Sequence, residues 1–207
     1  MKSNRICLLI SILITILLSV VPAAAEGENI YRTNFNSGDI PSIDQALVSD
    51  FVGIQLADEM TVGLLRQSEE TGELEPGMAT EWTASEDKLV YTFTLMEGVP
   101  WVKYNPDTGA VEEVKDCDGN VRYVNAHDFA YGVERTVRPA TASGYAFLIN
   151  QSIVGAAAYN AGETTDFSTV GVKALDDYTL EISFIEDGVF NLSIVSMWMM
   201  HAMPSWL

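Results

Sequence analysis

At 207 residues, with 29 acidic against 11 basic side chains, the chain carries a formal charge of −18, a surface that repels nucleic acid and anionic lipid and speaks against either as a partner. It is long enough to bury a sizeable core, and its two cysteines, Cys7 and Cys117, exclude a disulfide-stapled scaffold.

The first residues set the compartment. Lys2 and Arg5 precede an uncharged apolar run from Ile6 to Val21 that ends in Pro22-Ala23-Ala24-Ala25, the layout of a secretory signal peptide. Ala23 and Ala25 suit the small-residue recognition of a signal peptidase, so cleavage is expected between Ala25 and Glu26. The alternative is an uncleaved anchor, for which the run falls short of the roughly 20 residues of a spanning helix. Cys7 stands before the run, and Glu26 occupies the place of a lipidated cysteine, so the mature chain is expected to be soluble and periplasmic or extracellular. Without residues 1–25, nine basic residues face the same 29 acidic ones and the charge is −20. Cys117 is then unpaired, and stability has to come from packing.

Asn29 to Phe35 reads as a strand entering a polar loop, Asn36 to Ser42, which Gly38 and Pro41 punctuate. From Asp50 to Leu65 the residues Phe51, Ile54, Ala57 and Met60, with Leu56 and Leu64 beside them, recur at helical spacing, against which Gly53 and Gly63 count. Leu89, Tyr91, Phe93 and Leu95 alternate with Val90, Thr92, Thr94 and Met96, the pattern of a strand. Trp82, across the turn Ser85-Glu86-Asp87-Lys88, implies an antiparallel partner over Ala79 to Ala84.

Two turn motifs lie between Trp101 and Val124, one over Asn105 to Gly109 and one over Asp116 to Asn120, flanked by Val111 to Val114 and Val121 to Val124. They predict a protruding β-hairpin. The acidic turn lacks the bidentate Glu of a calcium loop, because its twelfth position is His127.

Asn125 to Arg138 has the strongest helical signature, with Asn125 as N-cap, Asp128 in the first turn, Arg135 and Arg138 in the last, and Pro139 as stop. Its inward face is Ala126, Phe129, Ala130, Val133 and Val137. Short helices over Tyr145 to Ile149 and Gln151 to Asn160 break at a loop at Gly162. Strands follow over Val170 to Leu175 and Tyr178 to Phe184, the latter with Tyr178, Leu180, Ile182 and Phe184 on one face. The fold class is α/β in the mixed α+β sense. The final stretch, Val195 to Leu207, has no polar tail or terminal helix, so further chain is expected beyond it.

Catalytic signatures are absent: there is no G-x-S-x-G, no G-x-x-x-x-G-K-[ST], no G-x-G-x-x-G and no C-x-x-C. No catalytic residue, metal site or cofactor is assigned. His127 reads as a surface side chain near the start of its helix. His201, inside Met197-Trp198-Met199-Met200-His201-Ala202-Met203, suggests either a soft-metal ligand or, more simply, part of an apolar wall filled by methionine.

Several segments in order resemble the family 5 extracellular solute-binding proteins, the oligopeptide- and dipeptide-binding components of bacterial ABC importers. Ser42-Ile43-Asp44 resembles the family's S-L-D-P, and Val62-Gly63-Leu64-Leu65 its E-G-L-hydrophobic. Glu75-Pro76-Gly77-Met78-Ala79-Thr80-Glu81-Trp82 is similar to P-x-h-A-x-x-W, where h is apolar. Tyr91 to Leu95 followed by Gly98-Val99-Pro100-Trp101 matches the strand ending in L-R-x-G-V-x-W. Val124 to Tyr131 resembles [VF]-[TN]-A-x-D-h-x-[YF], with Arg135 and Pro139 beyond it, and Gly171 to Glu181 resembles V-x-A-x-D-D-[YH]-T-h-E. Gln45 departs from the family's proline, Met96 from its arginine, and Asp118-Gly119 is displaced by the inserted hairpin.

The resemblance implies a periplasmic-binding-protein type II-like fold of two lobes about a cleft, with an additional domain. On that mapping residues 26–61 begin the first lobe, residues 62–205 form the additional domain, and the rest of the first lobe with the whole opposing lobe lies outside this sequence. It implies a monomer that binds peptide, not an enzyme, with the membrane subunits of an ABC importer as partner and no nucleic acid. The resemblance assigns Ser49, Asp50 and Phe51 to the peptide's N-terminal backbone, Tyr145 to the ligand, and Met197, Trp198 and Met199 to the cleft border. Core packing is an equal reading of Phe51, Tyr145 and the methionines. The carboxylate that holds the peptide ammonium is implied to come from the opposing lobe. Relatives of this fold also bind other solutes, such as nickel chelates, haem or sugars; a secreted hydrolase is the third reading.

Overall fold

The computed structural model describes residues 39–207. The expected leader (1–25) and the strand expected at Asn29–Phe35 lie outside the described residues. Helix α1, Phe51–Met60, follows the turn at Asp44. Strands β1, Leu65–Gln67, and β2, Leu74–Pro76, form a small ribbon. The central sheet contains β3, Ala79–Ala84, β4, Val90–Leu95, β7, Val172–Asp176, and β8, Thr179–Ser183, in the order β3-β4-β8-β7 with antiparallel neighbours. Between its halves come the ribbon β5, Val102–Asn105, with β6, Ala110–Glu113, and the helices α2, Ala126–Val137, α3, Ala146–Ser152, and α4, Ala156–Asn160. A last short helix, α5, Asn191–Val195, leads into a 3-10 turn at Trp198–Met200.

Strict alternation in β4 and β8 puts Phe93, Leu95, Leu180 and Ile182 on one buried face of the sheet, where full burial of a side chain such as Phe93 contributes about 2–3 kcal/mol. Trp82 sits opposite Phe93, within the expected β3–β4 hairpin. Helix α2 lies against β7 and β8 and buries Ala126, Phe129, Val133 and Val137. Its start is fixed by a reciprocal capping box: Asn125 accepts from the Asp128 N–H at 3.3 Å, and Asp128 accepts from the Asn125 N–H at 3.2 Å. Its stop is fixed by Pro139, which drives Arg138 to an extended conformation with φ −63° and ψ 128°.

Three expectations ahead of α2 need correcting. The helix expected over Asp50 to Leu65 ends at Met60, because the backbone of Gly63 and Leu64 is taken by Gly77, Met78 and Ala79, whose N–H groups donate to their carbonyls. Its apolar stripe is also rotated. Val52, Gly53 and Ala57 are buried, whereas Phe51 is 81% and Met60 64% exposed. Gly53 is the pivot, since a β-carbon there would lie 2.3 Å from Val48 Cγ2 and 2.8 Å from the Ser42 carbonyl. In the inserted hairpin the ladder forms between 102–105 and 110–113, while the second turn is closed by the isolated bridge Lys115–Val121 and by the Asp116 N–H, which donates to the Asn120 carbonyl at 2.9 Å.

The segment after α5 is the other long-range connector. His201 is buried, with Nδ1 2.8 Å from Thr61 Oγ1, which accepts from Gln45 Nε2 at 2.7 Å. Gly132 of α2 meets the same segment so closely that a β-carbon would lie 2.2 Å from the His201 carbonyl. Met203 N–H donates to the Asp128 carbonyl at 3.0 Å. Thus α1, α2 and the final residues form one packed corner beside the sheet. Among the described residues no helix is long and apolar enough to cross a membrane.

Candidate functional site

The residues that the family resemblance assigns to ligand come from three segments far apart in the chain. The turn at Asp44 sets the first: Leu47 and Val48 N–H both donate to the Asp44 carbonyl, and Asp44 Oδ1 accepts from Ala46 N–H at 3.0 Å. This local closure delivers Ser49 and Asp50 to the start of α1. Asp50 is its N-cap, accepting from Gly53 N–H at 2.9 Å, so one carboxylate oxygen is engaged in helix initiation. Ser49 is exposed, and so is Phe51.

The second segment follows α2. Tyr145 is half-buried at the N-terminus of α3, stacked near Phe147 with ring centroids 6.2 Å apart. A β-carbon on the neighbouring Gly144 would lie 4.0 Å from Ser49 Cβ, so the first and second segments are in contact range.

The third segment closes the row. The Trp198 indole meets the Tyr145 ring nearly at right angles, 79° at 4.8 Å, an edge-to-face contact. Trp198 is 7% exposed and its Nε1 has no hydrogen-bond partner among the described residues. Met197 is half-buried. Met199 has no exposed surface, and Thr136 Oγ1 lies 3.1 Å from its carbonyl; it is a core side chain, the alternative that methionine in an apolar wall left open.

Ser49, Tyr145, Trp198 and Met197 therefore trace one row, with Phe51 projecting at its α1 end. Sequence reading missed three features near it. Phe147, beside Tyr145, is half-exposed, and no periodicity marks a single aromatic on a short helix. His201 was readable as a soft-metal ligand or as part of an apolar wall, whereas its hydrogen bond to Thr61 depends on a contact between residues 140 apart. Burial pushes its pKa down from 6.5 to about 4, so the ring is neutral and inward-facing. The third is a groove of about 410 Å³ along α1, lined by Ile43, Ala57, Met60, Trp101, Tyr131 and Met203, with the Asp44–Arg135 ion pair in its wall.

No group of three or more His, Cys, Asp or Glu side chains able to hold a metal occurs among the described residues. The acidic turn at Asp116 is occupied internally: its carboxylate accepts from the Asp118 and Asn120 N–H groups, both at 2.9 Å. Hydrogen bonds from Asn120 hold that carboxylate below the usual range. His127 is exposed, 3.5 Å from Asp177. The row as a whole presents the exposed Ser49 and Phe51 and the half-buried Tyr145 and Met197, with Trp198 packed behind Tyr145.

Residues 73–205 match the profile described as bacterial extracellular solute-binding proteins, family 5 Middle. The chain is 32% identical over 161 residues to the oligopeptide-binding protein AliB of Streptococcus pneumoniae, which covers 78% of this chain and 22% of AliB. It is 32% identical over 174 residues to the dipeptide-binding protein DppE of Bacillus subtilis, covering 84% of this chain and 28% of DppE. Among solved structures, Listeria monocytogenes OppA bound to peptide superposes with a TM-score of 0.67 at 28% identity, covering 81% of this chain and 29% of that one. The chain thus spans about a quarter of the length of the relatives it matches.

Proposed function

The chain belongs to the bacterial extracellular solute-binding proteins of family 5, and on that premise we propose that the protein it forms part of is the substrate-binding component of an ABC importer, holding oligopeptides or dipeptides outside the cell membrane. The observation that carries this reading is the similarity to peptide-binding relatives along most of the chain together with the matching fold. The row Ser49–Tyr145–Trp198–Met197 supports it, because a peptide backbone pairs with exposed main chain while apolar and aromatic groups receive its side chains. The protein acts by binding, without bond-breaking turnover.

In this reading residues 26–61 open the first lobe, residues 62–205 form the additional domain, and the lobes close over the peptide as a monomer. Hydrated, roomy pockets then permit many sequences, because bridging water satisfies polar groups almost as well as a direct contact. The leader (1–25) sends the protein across the membrane, and its partners are the importer's membrane subunits.

The test is native mass spectrometry of the intact protein purified from its own cells, followed by calorimetry with the peptides recovered. Co-purifying peptides that rebind with micromolar or tighter affinity are expected. Recovery of a metal chelate, haem or sugar in their place, or steady release of cleaved peptide, would overturn the reading.

A further inference from the structure

Next to the proposed ligand row, α3 and α5 enclose a second cavity of about 450 Å³. Resting on the peptide-binding reading above, we propose that this cavity is a subsite for one lysine or arginine side chain of the bound peptide.

The cavity joins the row directly. Met197 lines it and immediately precedes Trp198, whose ring stands on Tyr145. Leu148 lines it from α3, three residues after Tyr145 and so one turn along the same helix face. Tyr145 is the accessible member of the Tyr145–Trp198 pair, so a peptide that touches Tyr145 lies one helical turn from Leu148 and the cavity it lines.

The lining has two parts. Leu148, Ile194 and Met197 are partly buried and give an apolar wall, and Phe190, 72% exposed, stands at the rim. Glu186 is the one charged side chain among the lining residues, and Gln151 and Ser152 provide neutral polar groups. An apolar wall with a carboxylate at its edge fits a side chain that has a methylene stem and a cationic end, the division of surface that Lys and Arg present.

The loop that carries Glu186 and Phe190 is held in place. The Asn191 side chain is buried and donates to the Glu186 carbonyl at 2.9 Å, and a β-carbon on Gly188 would come within 3.0 Å of Asn191 Oδ1. Gly188 lets the loop fold closely over Asn191, and the Asn191 bond to the Glu186 carbonyl holds residue 186 beside the cavity. The overall excess of carboxylates adds a field of the same sign, which favours cationic ligands.

Calorimetry on the intact protein at low ionic strength tests this, using alanine peptides of two to five residues with Lys, norleucine or Glu placed at each position in turn. At one position Lys is expected to bind about two- to five-fold better than norleucine, the range of a solvent-accessible ion pair, with Glu weaker than both. In Glu186→Gln the Lys advantage should fall to unity while norleucine affinity is kept. In Ile194→Ala both should weaken together. Peptides that bind with no position preferring Lys, or a preference that survives Glu186→Gln, overturn the subsite and leave the peptide reading standing. Failure of every peptide to bind overturns both.

Discussion

Arg135 grips Asp44 with both ends of its guanidinium: one nitrogen donates to Oδ1 at 2.5 Å and the other to Oδ2 at 2.6 Å, across 91 residues of chain. The pair ties the last turn of α2 to the turn that delivers Ser49 to Phe51. The hydrogen bonds to Asp44 raise the Arg135 pKa further, so the charge is permanent.

Replacing Arg135 with Met should therefore cost about 1–2 kcal/mol of stability, the value of charged hydrogen bonds discounted for side chains about a quarter to a third exposed. Arg135→Lys should recover less than half of it, because an ammonium cannot span both carboxylate oxygens. Urea unfolding at fixed ionic strength measures both, and a Met variant indistinguishable from wild type would show the pair to be idle.

His201 sets a pH dependence. Its pKa is pushed down to about 4 in the fold against 6.5 when free, chiefly by desolvation, so the unfolded chain binds the extra proton first as pH falls. The stabilising contribution is complete above about pH 6.5 and is lost progressively toward pH 4, by an amount of order 2–3 kcal/mol. Unfolding free energies of wild type and His201→Gln, measured from pH 7.5 to 4, should converge as the pH drops. The raised carboxyl groups of Asp58 and Asp128, both shifted mainly by burial, act in the opposite direction in each protein and cancel in the difference.

Gly132 separates local propensity from packing. In an exposed helix interior Gly→Ala gains about 1 kcal/mol, but here the added methyl would sit 2.2 Å from the His201 carbonyl. Backbone cannot yield as a flexible side chain does, so Gly132→Ala should lose about 2 kcal/mol or more. A rise in melting temperature would mean that the final segment does not cross α2 as described.

Phe51 and Tyr145 make different predictions under the peptide reading. Phe51 is almost free of packing, so Phe51→Ala should change stability by less than about 0.5 kcal/mol while weakening peptide binding several-fold. Tyr145→Ala also removes a partner of Trp198 and should lower both stability, by about 1–2 kcal/mol, and affinity. Thermal melts paired with calorimetry separate the two effects, and unchanged affinity in both variants would remove these residues from the site.

Elements whose cause is local were legible in the chain. Alternation alone located β4 and β8, and Asn125, Asp128 and Pro139 bounded α2, because capping and proline sterics act within a few residues. The break between α3 and α4 was placed too early: Gln151 and Ser152 continue α3, and Gly155, at φ 73°, is the actual divider. Family motifs named Asp44 and Arg135 separately, and only the folded chain shows that they bind each other.

The period of the main strands, the ends of α2, the acidic surface and the order of motifs along the chain all follow from the residues themselves. Long-range packing settles which way α1 faces, which methionine is core and which lines a cavity, and how Ser49, Tyr145 and Trp198 come together. Helical spacing reports an apolar stripe without saying what covers it. Burial depends on segments 90 or more residues away, such as those joined by Arg135 and His201, and a glycine contact such as Gly53 against Val48 can turn a helix so that its largest side chain, Phe51, points outward.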